Sequence, residues 1–124
     1  MTRHHFHSFP DVVKCMADNW PNYVPEFRML LIAVFIASLA DMVSTISVMQ
    51  VFGPQVELHP LIRTMSLEWG PVLGPVVGKA WQLLALILVT LLLRPQARLI
   101  LVPVAISYTA AAYYNLWANA SFLL

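Results

Sequence analysis

Three apolar stretches, each long enough to cross a bilayer, constrain this chain more than anything else in it. They cover residues 29–52, 70–93 and 99–123, and a span takes roughly 20 apolar residues. Composition points the same way. The 124 residues are 60% hydrophobic and 10% charged, against about 45–50% apolar and about 25% charged in an ordinary soluble domain. So few ionic groups could not cover a water-soluble globule. A soluble enzyme, a nucleic-acid-binding domain and a disordered regulator are excluded together. The expectation is an all-α integral membrane protein with three transmembrane helices.

Local signals set the boundaries. Arg28 precedes the first span, Gly53-Pro54 ends it, and Arg94-Pro95 ends the second, since neither residue pair continues a helix. Residues 1–28 are then an N-terminal cytoplasmic segment and 29–124 a three-helix transmembrane domain. No secretory signal is visible, because the first apolar run starts late and lacks a small-residue cleavage site. Between spans one and two, Pro60 sits at a favoured first helical position. Leu61, Ile62, Met65 and Trp69 follow at helical spacing, which predicts a short helix lying in the outer interface. The N-terminal residues have room for an amphipathic helix opened by Pro10, with Val12, Val13 and Met16 toward lipid. Pro21 and Pro25 are expected to end it.

Charge placement gives an orientation. With the N-terminus inside, Arg3, Lys14, Arg28, Arg94 and Arg98 are cytoplasmic and only Arg63 is outside. Five against one is a positive-inside pattern. Trp20, Tyr23 and Phe27 would mark the inner interface; Trp69, Tyr113, Tyr114 and Trp117 the outer one. The expected location is an integral membrane protein of the bacterial inner membrane, N-terminus in and C-terminus out.

Polar residues inside the spans are the candidate site. Asp41 lies mid-span in the first helix, with Ser38, Ser44 and Thr45 on the same face. Lys79 lies mid-span in the second, with Gln82 one turn on. Asp41 is 11 residues before Phe52 and Lys79 is 9 after Gly70, so both sit roughly 14–16 Å below the outer surface. A lone charge there costs at least about 2.5–3.5 kcal/mol, which favours pairing. Tyr108 reaches the same layer from the third helix, which also carries Ser107, Asn115 and Asn119. The pair is either a structural staple, the favoured reading, or part of a proton or ion path or a catalytic dyad.

Gly70, Gly74 and Gly78 form a small-residue ladder that lets helix backbones approach closely, with Ala110, Ala111 and Ala112 as facing residues. Glu57 and His59 could be metal ligands or a relay, but two ligands make no site, and a solvated loop accounts for them better. The same holds for His4, His5 and His7, which read as a frayed tail. No His lies mid-span to ligate a haem, and the sequence names no cofactor.

The pattern Asp41-x-x-Ser44-Thr45, then Gly53, Glu57-x-His59-Pro60 and Lys79 resembles a family of small bacterial multi-span proteins classed only as a domain of unknown function. Its members pair an Asp-x-x-Ser/Thr-Thr first helix with a Glu-x-Asn-Pro hairpin and a following Lys. The resemblance covers residues 35–90, with His59 where the family pattern has Asn. It implies a shared fold and one constellation of Asp41, Glu57 and Lys79, and brings no established activity.

No nucleophile elbow, zincin helix or carboxylate pair is present, so an enzyme is not expected. The favoured function is a non-catalytic accessory or structural subunit packing into a larger membrane complex. Its partners would be membrane lipid and other integral subunits or further copies of itself, not nucleic acid. The alternative is an oligomeric ion or proton channel or transporter built on Asp41 and Lys79.

Overall fold

The computed structural model describes residues 8–120. These are almost entirely helical, in the order α1 (Phe9–Phe52), a 3-10 turn (Pro54–Val56), α2 (Pro60–Trp69), α3 (Leu73–Leu92), a second 3-10 turn (Arg94–Gln96) and α4 (Ala97–Ala118). Three helices are long and apolar enough to cross a membrane, consistent with an integral membrane protein. The tail histidines His4, His5 and His7 lie outside the described residues.

The largest departure from expectation is α1, which is one helix of 44 residues, roughly 66 Å long at about 1.5 Å per residue. Pro21 and Pro25 do not end it. An interior proline costs about 3 kcal/mol and leaves a carbonyl without its amide partner. Here both prolines lie on the exposed face, while the opposite face is buried on either side of them. Met16, Tyr23, Phe27, Leu30, Leu31 and Val34 form a stripe packed into the core, at the three-to-four-residue spacing of one helix face. Packing along that stripe outweighs the two missing bonds. Met16 therefore faces the core rather than lipid.

That core gathers where α1, the end of α3 and the start of α4 meet. Tyr23, Phe27, Val34, Leu91, Ala97 and Leu101 are its buried members. Tyr23 and Phe27 are 1% and 3% exposed, so both rings face the core. The Tyr23 hydroxyl and Thr90 Oγ1 share a hydrogen bond of 2.5 Å, and Asn19 Nδ2 donates to the Leu91 carbonyl at 2.9 Å. The last carbonyls of a helix have no partner within it, and Asn19 supplies one. From Tyr23 back to Cys15, α1 advances eight residues, about 12 Å. Its partners on α3 move only from Thr90 to Leu92. The N-terminal part of α1 thus crosses the end of α3 instead of running beside it.

At the opposite end α2 forms where the sequence predicts a short helix, and it packs along α3. A Cβ at Gly74 would fall inside the Ser66 backbone, and one at Gly78 would lie 3.1 Å from Ile62 Cγ1. His59 meets Gln82. Each step back along α2 is thus a step forward along α3. The two helices form an antiparallel hairpin, so α2 follows the axis of α3 rather than lying across its end. Glycine makes this possible, because backbones this close leave no room for a side chain.

Gly70 belongs to this turn rather than to the ladder. It caps α2 at φ 94°, in the region that favours glycine, and α3 starts only at Leu73. The glycine face is therefore buried at Gly74 and Gly78 against α2. Ala110, Ala111 and Ala112 on α4 do not provide its partner. α4 runs parallel to α1 and packs mainly on it.

Candidate functional site

Mid-way along the bundle, α1 and α3 each contribute one charged side chain. Lys79 Nζ donates to Asp41 Oδ2 at 2.6 Å, and the two side chains are only 4% and 12% exposed. The ammonium also lies 4.2 Å from the centroid of the Tyr108 ring on α4, within range of a cation–π attraction. Three helices therefore converge on one cation. A second ion pair, Arg94 to Glu26 at 2.9 Å, is much more exposed and contributes little.

Around the pair, polar groups divide into two branches. Tyr108 donates its hydroxyl toward Gln82 Oε1 at 3.4 Å, and Gln82 Nε2 lies 3.0 Å from His59 Nε2. This branch runs from the buried ammonium out to the exposed ring of His59. The other ties α4 to α1: Asn115 Nδ2 donates to Ser44 Oγ at 3.1 Å and to Thr45 Oγ1 at 3.2 Å. Asn119 Nδ2 in turn donates to the Asn115 carbonyl.

Several expected residues take other parts. The Ser44 hydroxyl donates to the backbone carbonyl of Asp41, not to its carboxylate. Glu57 does not reach Lys79 among the described contacts; its Oε1 accepts from the backbone N–H of His59 at 2.9 Å, closing the turn before α2. Asp41, Glu57 and Lys79 are therefore not one contact cluster. No group of three or more metal-ligating side chains forms among the described residues. Ser38 lies fully buried one turn from Asp41, and its hydroxyl has no hydrogen-bond partner among the described residues. Such a group costs about 1–3 kcal/mol.

Sequence reasoning passed over Asn19, Thr90 and Ser66. Asn19 precedes the first apolar stretch and Thr90 is a single polar residue near the end of the second, so neither belongs to a polar pattern. Ser66 is a small residue on the buried face of α2, and its spacing to Ile62 was the available signal.

Comparison with protein-family models, curated proteins and solved structures finds no match. The resemblance of residues 35–90 to the small multi-span family stands on its motif alone.

Proposed function

We propose that the chain is a non-catalytic integral membrane protein, an accessory or structural subunit that packs into a larger membrane assembly. One observation carries this reading. The two intramembrane charges consume each other directly, at 2.6 Å, with an aromatic ring against the cation. A carboxylate and an amine held this way fix the register of α1 against α3. Opposite charges that offset each other inside a bilayer account for one another without a bound substrate or ion. The chain's outer surface fits the same reading, because the most apolar stretch of the third span is only 11% buried within the chain. Lipid and neighbouring subunits would cover the rest.

In this reading the protein sits in the bacterial inner membrane with its N-terminus cytoplasmic, as the five-to-one distribution of Lys and Arg implies. Residues beyond the bilayer on that side include the start of α1, since roughly 66 Å of helix is twice the hydrocarbon thickness of about 30 Å. The hairpin of α2 and α3 replaces the interfacial helix by one that dips back toward the bilayer centre. Buried backbone off the long helices is tolerated there because it packs on protein.

The second reading, an oligomeric proton or ion carrier, draws on the branch from His59 through Gln82 and Tyr108 to the ammonium. Extraction in mild detergent, followed by identification of co-migrating chains, separates the two. Distinct membrane subunits in stoichiometric amount support the accessory reading. A single species near 13.9 kDa contradicts it, and a homo-oligomer favours the carrier.

A further inference from the structure

A cavity of about 420 Å³ opens between α1 and α4 at the arginine-rich end of the bundle, lined by Glu26, Arg28, Met29, Leu30, Arg98 and Val102 among others. The register of the two parallel helices puts the arginines there. Asn115 meets Ser44 and Thr45, an offset of 70 to 71 residues, and Arg98 stands 70 residues after Arg28. Neither guanidinium makes an ion pair or hydrogen bond with a described residue. Two unpaired like charges facing one cavity repel, and an anion between them removes that cost. Glu26 would oppose an anion, but Arg94 holds its carboxylate at 2.9 Å.

We propose that this cavity binds one anionic phospholipid, its phosphate on Arg28 and Arg98 and an acyl chain along Met29, Leu30 and Val102. Arginine suits the headgroup because its planar fork donates to two phosphate oxygens at once. Basic pockets between spans are recurrent sites for such headgroups. The apolar wall decides between a lipid and a free phosphate. It continues directly into the apolar lengths of α1 and α4, and a small anion would leave it uncovered, whereas an acyl chain covers it.

The test is native mass spectrometry of the full chain in detergent, titrated with phosphatidylglycerol or phosphatidylcholine carrying identical acyl chains. With about fivefold from each of the two arginines, phosphatidylglycerol should be favoured roughly 25-fold. Replacing both residues, Arg28→Gln with Arg98→Gln, should erase the preference, while Arg63→Gln at the other end of the bundle should preserve it. Inorganic phosphate at matched concentration should not displace the lipid. Equal binding of the two lipids by the unaltered chain overturns the proposal without recourse to any variant. So does an equal loss in Arg63→Gln, which means diffuse charge, or displacement by inorganic phosphate, which means a soluble-anion site. If the double variant fails to fold, Arg28→Lys with Arg98→Lys keeps both charges and should lower the preference only partly; an undiminished preference would contradict recognition by the guanidinium forks.

Discussion

Lys79 and Asp41 are 38 residues apart in sequence and 2.6 Å apart in space, the only buried ion pair among the described residues. The separation includes the whole of α2 and its turns, so the pair closes a loop rather than decorating a helix. Its cost and its benefit are tied together. Each charge alone would be costly inside a bilayer, and together they set which turn of α1 faces which turn of α3.

The glycine contacts give a graded prediction. At Gly74 any side chain collides with the Ser66 backbone, which cannot yield without moving α2. At Gly78 it meets the Ile62 side chain at 3.1 Å, which can rotate. Gly74→Ala should therefore cost more than Gly78→Ala, with overpacking worth about 1–3 kcal/mol at Gly74. Thermal unfolding in detergent ranks the two, and the reverse order would refute the hairpin geometry.

The direction of α2 is open to a depth measurement. Nitroxide labels at Leu61 and Glu68, both exposed, lie seven residues apart, about 10 Å along the helix. Collision with oxygen and with a water-soluble nickel chelate in bilayers should place position 61 deeper than position 68 by most of that length. Equal depths would mean that α2 lies in the plane of the interface.

Where α1 crosses the end of α3, two polar bonds hold it. Tyr23→Phe removes a hydroxyl bonded to the fully buried Thr90, and Asn19→Ala releases the Leu91 carbonyl. Each should cost about 0.5–1.5 kcal/mol, the usual net worth of such a bond. Proteolysis between residues 9 and 28 should become faster in both. Unchanged stability and unchanged cleavage would show that the core packs α1 without these bonds.

Much of this arrangement is legible in the residues, and the misses share a cause. Asp41 and Lys79 could be paired in advance because burying charge is costly and helical rise converts residue counts into depth. The glycine spacing announces a close backbone approach, yet spacing does not say which helix approaches, and Ser66 of α2 takes the place given to the alanines of α4. Pro21 and Pro25 read as breaks because local propensity opposes a helix there; the buried stripe through Tyr23 and Phe27 overrides it from outside the segment. The same two aromatics look interfacial by type and are core by contact. Glu57 follows the motif in sequence but serves its own turn in space.

Replacing the members of the intramembrane pair singly and together tests the central claim most directly. Asp41→Asn, Lys79→Met and the double replacement, compared with the parent chain, form a cycle in which stability and assembly are measured together. Removing one partner strands the other charge, at about 3–5 kcal/mol by analogy with buried pairs in soluble proteins. Each single variant should therefore lose stability and abundance, and the double variant should recover most of the loss, a non-additivity that marks direct interaction. Strictly additive losses, or a double variant that assembles normally while the host membrane loses a measurable ion or proton flux, would contradict the structural role.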